Sequence, residues 1–453
     1  MQSAVRLAAL IARREVSPVE VVQNYLRRIE RLNAELNAVV TLDAEVLERA
    51  REAEARVMRG ERLGPLDGVP LTVKDTIETK GLRATSGSRL RAQFVPENDA
   101  TAVARLRAAG AIILGKTNVP EMAIPYECDN PVFGRTNNPH DLGKTAGGSS
   151  GGEAAAISAC LSAAGLGSDL SGSIRVPAHF CGVVGLKPTA GRVPCDRHFP
   201  PATGAFALGA VIGPMARSVE DVALLLNVLT GTRSSTTADV SGLAVAQFVD
   251  DDTPISDDTQ AALGAALRAL SEAGLVVVDE RPQELERAID LWPALFSRAS
   301  MTQLRETYGE DEEAAGPVVR AVLAAAWRNQ EQGADEFARA LAERERLGEA
   351  LDTWMKRTPL VVAPVGSVPA FEHGARRVEV LGQTISVFRA FGYARAANVL
   401  GLPAVSVPAG RTREGLPLGV QLIGRPFEEE SLLAAASIIE AALGGWVRPP
   451  NTS

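Results

Sequence analysis

Histidine and cysteine are both scarce in this 453-residue chain, and each scarcity excludes something. There are four histidines, His140, His179, His198 and His373. No two have metal-ligand spacing, so no metal is expected. None sits in a local pattern that marks a serine hydrolase base, and each reads as a structural or surface residue. Four cysteines (Cys128, Cys160, Cys181, Cys195) show no C-x-x-C spacing and read as buried, reduced thiols of a cytoplasmic protein. Basic residues are not in excess. The net charge is -8, which argues against a nucleic-acid partner held on a basic surface. No apolar stretch approaches the roughly 20 residues of a membrane span. Arg6, Arg13 and Arg14 interrupt the first apolar run, so no signal peptide is read there. The phosphate-cradling G-x-x-x-x-G-K-[ST] pattern is absent, and no cofactor is expected.

What the chain has is a large apolar fraction, 46%, with 23% charged residues, the balance of an ordinary globular protein. It also has one unusual stretch, 147–175, GGSSGGEAAAISACLSAAGLGSDLSGSIR. Two Gly-Ser clusters flank an Ala-rich run, 153–164, that reads as a buried helix. Small residues let backbone N–H groups approach a ligand, and serine supplies the nucleophile.

Along the chain, helical spacing covers 3–14. Ser17-Pro18-Val19-Glu20 is a capping box with proline at the first helical position, so a helix should run to about 31. A third helix fits 44–59, ended by Gly60. The apolar run 68–75 reads as a buried strand, 100–109 as a helix and 111–114 as a strand. This β–α–β rhythm favours a mixed or parallel sheet. The Asn-, Pro- and Gly-rich segment 116–144 reads as a long functional loop. Strands fit 182–186, 244–249, 275–278, 360–363, 404–407 and 419–423. Helices fit 218–229, 259–273, 387–400 and 428–442. The charged, mostly helical region 282–357 carries no chemistry and is expected to shape the substrate pocket or the outer surface. Strands on both sides of it suggest one sheet built from distant parts of the chain.

Lys74 ends the buried strand. By position it reads as a lysine with a buried stem and a head in water. The alternative is a desolvated base. That requires its pKa to fall ~3 from ~10.4, at a cost of ~4 kcal/mol. Gly147-x-Ser149-x-Gly151 matches the short nucleophile-elbow pattern, but loop-like residues precede it where a strand is required. Alone, GGSSGG reads as a flexible turn. The second cluster changes this: Ser173 is a candidate nucleophile, and the N–H groups of Leu170, Ser171, Gly172 and Ser173 could converge to stabilise an oxyanion.

These residues resemble the amidase signature family. GVPLTVKD, KTNVPEMA, NPVFGRTNNPHD, AGGSSGGEAAA, GSDLSGSIRVPA, GLKPTAGRVP, GPMARSVEDVALLL and GLPAVSVPAG are all similar to family motifs. The similarity covers about 64–231 and 358–442. It implies one α/β domain over 1–453, a large twisted mixed sheet covered by helices on both faces. Within it, 1–63 would be an N-terminal helical cover, 64–231 the catalytic core, 232–357 a variable region and 358–445 a return to the sheet.

The resemblance also implies a Ser–cisSer–Lys triad: Ser173 as nucleophile, Ser149 as bridging serine after a cis Gly148–Ser149 bond, and Lys74 as base. Asp169 and Arg175 would brace the loop. Ala123, Tyr126, Gly147 and Gly148 are expected to bind substrate. Ser171 departs from the glycine usual in the family, and its Cβ could restrict φ or its hydroxyl could bond within the loop. The implied activity is hydrolysis of a small or medium amide to a carboxylic acid and ammonia or amine. The alternatives are the amidase component of a glutamine-dependent tRNA amidotransferase, with partner subunits, and a non-catalytic amide-binding relative. Against the first stands 202–215, which lacks a Ser-Leu-Asp-Gln run. The residues leave the oligomeric state open; the resemblance leans to a homodimer.

Overall fold

The short apolar runs assemble into one mixed sheet of eleven strands among the described residues. The computed structural model describes residues 2–232, 235–309, 311–328, 334–450 and 452. In spatial order the strands are Val39–Leu42, Ile112–Thr117, Pro70–Lys74, Ala164–Asp169, Val211–Ala216, Val184–Lys187, Ala404–Arg411, Pro417–Gly424, Leu360–Pro364, Ala244–Gln247 and Val276–Val278. Pro70–Lys74 runs parallel to both neighbours. The distant halves of the chain meet where Val184–Lys187 pairs antiparallel with Ala404–Arg411. The main apolar core runs through the sheet and its covering helices, from Ala4 to Ile439, with two smaller buried clusters around Phe180 and Leu304. The fold is thus one α/β unit with a large mixed sheet.

The N-terminal helices are Ala4–Ala12, Pro18–Leu36 and Val46–Arg59. Ser17 and Glu20 close the capping box in both directions, an arrangement worth about 1 kcal/mol. That helix continues past 31 because its stop is Asn37, which takes the left-handed conformation. No helix among the described residues is long and apolar enough to cross a membrane.

Three expectations change. The Ala-rich run is a helix only over Gly151–Ser158; Cys160 then turns with positive φ, and Ala164 already begins a strand. Alanine fits both a buried helix and a strand squeezed between neighbours, so composition could not place the break. The second Gly-Ser cluster therefore hangs from a sheet strand, while the first opens the helix. The 387–400 helix breaks into Val387–Ala390, a 3-10 turn at Gly392–Ala394, and Arg395–Val399. The long loop 116–144 contains a small hairpin, Asn137–Asn138 with Asp141–Thr145.

Region 282–357 is helical as read: Gln283–Trp292, a π turn at Pro293–Ser297, Arg298–Tyr308, Pro317–Arg328 and Ala334–Met355. Its residues 310 and 329–333, and residues 233–234 of the wider 232–357 segment, lie outside the described residues.

Candidate active site

The Pro70–Lys74 strand is buried at every position, and its last side chain has no exposed surface at all. The Lys74 head does not reach water, so the reading from position alone is corrected. Its Nζ lies 2.7 Å from Ser149 Oγ, 2.9 Å from Ser168 Oγ and 3.2 Å from the Ser168 carbonyl. Burial removes the hydration that stabilises an ammonium and brings the Lys74 pKa down to about 7, against an opposing pull from Asp169. A lysine so placed exchanges a proton near neutral pH.

Ser149 opens the Gly151–Ser158 helix, two residues before its first turn, and the Gly148–Ser149 peptide is cis. Gly148 is needed for contact: a Cβ there would lie 2.4 Å from the Pro125 carbonyl oxygen. Strand Ala164–Asp169 delivers the second cluster beside Lys74. The two clusters are stitched together where the Ser150 N–H donates to the Ser173 carbonyl at 3.0 Å. Ser173 and Ser149 line the same cavity, of about 920 Å³. The Ser173 hydroxyl makes no hydrogen bond to a described residue.

Asp169 and Arg175 are fully buried and joined through two bonds of 3.1 Å, Nε to Oδ2 and Nη2 to Oδ1. Asp169 also accepts from the N–H groups of Gly172 (2.8 Å) and Ile174 (3.0 Å). The guanidinium and these donors hold its carboxyl well below the usual range despite burial. The turn between them is thereby fixed. Gly172 carries φ +96°, and a Cβ on it would meet the Ala394 methyl at 2.6 Å. Its N–H is committed to Asp169, which sets Gly172 apart from Leu170, Ser171 and Ser173 within the expected group of four oxyanion donors.

Ser171 needs no left-handed φ, so its Cβ restricts nothing. Its hydroxyl and carbonyl both lie 2.7 Å from the Tyr126 hydroxyl. Tyr126 donates to the carbonyl and accepts from the hydroxyl, a tether that glycine would halve. A Ser171→Gly protein should keep its fold and lose about 1 kcal/mol or less, the ordinary worth of one such bond, measured by urea denaturation. A loss above about 3 kcal/mol would mean that the hydroxyl holds more than Tyr126.

Of the four residues expected to bind substrate, Ala123 and Tyr126 line the cavity and Gly147 and Gly148 do not. Their missing side chains are spent on packing instead: a Cβ on Gly147 would lie 2.8 Å from Pro177 Cα. The helical region 282–357 supplies much of the wall, including Trp292, Met301, Leu304, Val318 and Val322. Trp292 also donates to the Leu170 carbonyl at 3.0 Å, tying that wall to the Leu170–Ser173 turn.

Three polar residues near Lys74 escaped the sequence reading, Ser168 and Glu153 buried and His198 half-buried. Ser168 sits inside the GSDLSGS motif and could have been flagged by its place beside Asp169. Glu153 accepts from Thr72 and Thr117, and burial pushes its pKa up to about 7. His198 has its Nε2 2.8 Å from Ser168 Oγ, a contact nothing in its local pattern announces.

A family model described as Amidase matches residues 20–433. The A-type subunit of the Thermus thermophilus glutamyl-tRNA(Gln) amidotransferase is 37% identical over 470 residues, covering 96% of each chain. Among solved structures, a chain of an inhibitor-bound vestigial protein complex, described as revealing the evolutionary origins of an s-triazine catabolic enzyme, superposes with TM-score 0.90 at 28% identity, over 99% of this chain and 100% of that one. The A-type subunit of the Thermotoga maritima glutamyl-tRNA(Gln) amidotransferase superposes with TM-score 0.78 at 27% identity, over 95% of this chain and 94% of that one. With a model match over most of its length, and with these relatives sharing its whole fold, the chain belongs to the Amidase family.

Proposed function

We propose that the chain hydrolyses the C–N bond of an amide through an acyl-enzyme on Ser173. The observation that carries this is the 2.7 Å contact between a fully buried Lys74 and Ser149. Ser173 Oγ attacks the carbonyl carbon, and its proton passes to Ser149, whose own proton passes to neutral Lys74. The N–H groups of Leu170, Ser171 and Ser173 receive the oxyanion. The proton returns through Ser149 to the leaving nitrogen, the C–N bond breaks, and ammonia or an amine departs. Water then repeats the sequence on the ester and frees the acid.

A fluorophosphonate should label Ser173, and the Ser173→Ala protein should take up none. Because Lys74 must be neutral to accept, the labelling rate should fall as the pH drops below about 7. Labelling elsewhere, or a rate that does not change between pH 6 and 8, would reject the assignment.

A narrower reading is favoured by the named relatives: the amidase component of a glutamine-dependent tRNA amidotransferase, with the released ammonia passed to a substrate held by its partners. Whole-length similarity to such proteins supports it more strongly than it supports a free-standing hydrolase of small amides. The broader reading draws support from the apolar cavity wall, which suits a hydrophobic acyl group better than a glutamine side chain. Ammonia release from glutamine, compared with release from aryl and alkyl amides, separates the two. Co-purification of partner subunits would favour the narrower one.

A further inference from the structure

His198 stands outside the proposed proton path yet is bonded to a residue that touches its base. The segment around it is pinned to the chain just after Lys74: the Phe199 N–H donates to the Thr76 carbonyl at 2.8 Å, and the Glu78 N–H to the Arg197 carbonyl at 3.0 Å. His198 Nδ1 lies 2.7 Å from the Pro200 carbonyl, which can only accept, so Nδ1 carries the proton. Burial and the positive charges of Lys74 and Lys116 hold the ring's pKa down to about 4, and the ring is neutral. Its Nε2 is then a bare acceptor, and the Ser168 hydroxyl at 2.8 Å must donate to it. The lone pairs of Ser168 Oγ are left to face Lys74 Nζ at 2.9 Å.

A neutral lysine has two N–H bonds and one lone pair. The Ser168 carbonyl and hydroxyl oxygens, both acceptors here, take the two N–H bonds. Ser149 is the remaining contact of Nζ, and the lone pair falls to it. We propose that His198 is a positioning residue which, through the Ser168 hydroxyl, orients the protons of neutral Lys74 so that its lone pair addresses Ser149. This rests on the reading of Lys74 as the base. Without the histidine, the Ser168 hydroxyl is free to turn and donate to the Lys74 lone pair, in competition with Ser149. The other titratable groups around Lys74 include Asp169, Glu153, Cys128 and Cys195; burial pushes both thiols up to about 12 and keeps them uncharged, and none of the four bonds to its Nζ.

The test measures fluorophosphonate labelling of Ser173 in the full chain, with the maximal rate and half-saturating concentration determined separately. His198→Phe fills the site without an acceptor; His198→Gln offers a carbonyl oxygen to Ser168. The Phe variant should lower the maximal rate about tenfold or more, as expected when a base is misaligned, with half-saturation unchanged. The acid limb of its pH profile should move to lower pH, since a hydroxyl donated to the lone pair stabilises the neutral amine. The Gln variant should recover most of the rate. Equal rates for wild type and His198→Phe, a change in half-saturation alone, or no recovery in His198→Gln would each overturn the proposal. Should His198→Phe fail to fold, the Gln variant decides alone: a rate within about threefold of wild type upholds the acceptor role, and a larger loss removes it. Lys74→Met tests the underlying reading separately. If that variant still labels, the base assignment falls whatever His198 does.

Discussion

A Lys74→Met protein is expected to lose about 10³-fold or more of its turnover and yet to unfold at a higher urea concentration than the wild type. The first effect follows from removing the proposed general base, a role that contributes roughly 10²–10⁴-fold, together with the group bonded to Ser149. The second follows from burial. Lys74 has no exposed surface, and its pKa is lowered to about 7 from 10.5. The unfolded chain therefore binds a proton that the folded chain does not hold between those values. Stability rises with pH across that window, and the cost of keeping Lys74 is greatest below about pH 7. Methionine has a similar length and carries no charge. It should recover roughly 1–4 kcal/mol near neutral pH, less whatever the orphaned Ser149 and Ser168 contacts lose. The gap between the two proteins should narrow as the pH climbs toward 10. Urea midpoints for both at pH 6.5, 8 and 9.5 check this. A variant that is less stable throughout, or a gap that widens with pH, would mean that Lys74 is held as an ammonium and serves structure rather than chemistry.

How much of this was legible beforehand depends on how local each signal is. The two Gly-Ser clusters could be found because they sit in one stretch and because small residues crowd where backbones touch. Lys74 could be found because it ends an apolar run, though whether its head was wet or dry depended on Ser149 and Ser168 in three dimensions. Helix ends with a chemical marker, such as Ser17 and Gly60, fell where expected. Strand Val211–Ala216 was missed because Gly213-Pro214 reads as a break, while the sheet accepts both between Ala164–Asp169 and Val184–Lys187. Strand Val39–Leu42 and the hairpin Arg377–Val380 with Gln383–Ser386 were too short to show a period. His198 was invisible for a different reason: its partner lies 30 residues away, across a turn that no pattern predicts. The cavity wall had a weaker signal, since charged helices reveal which face is polar but not what the other face covers.

An Arg175→Ala protein is expected to lose about 3–5 kcal/mol of stability, the usual consequence of removing one partner of a buried ion pair. Few side chains in this fold have more to lose. The guanidinium bonds both oxygens of Asp169, and it also donates to Gln421 Oε1 at 2.8 Å and Asn398 Oδ1 at 2.7 Å. It thereby joins the Leu170–Ser173 turn to strand Pro417–Gly424 and to helix Arg395–Val399. Alanine would leave a buried carboxylate bonded only to backbone N–H groups and Asn398, with Lys187 acting on its charge from beyond bonding distance. Burial would then push the Asp169 pKa upward, where Arg175 now holds it down. In the wild type, the ion pair contributes stability at any pH above the ordinary aspartate value, and this is lost as the pH falls below it. The deficit of the variant should accordingly be largest at neutral pH and shrink in acid, once Asp169 is protonated in both proteins. Ser173 labelling should fall with it, because the Leu170–Ser173 turn is held by the same carboxylate. A double variant, Asp169→Asn with Arg175→Met, removes both charges and should regain part of the stability but not the labelling. Urea unfolding with an unchanged slope gives the energies. A single variant that loses less than about 1 kcal/mol would show that Gly172, Ile174 and Asn398 suffice to hold the turn, and that the guanidinium is dispensable to it.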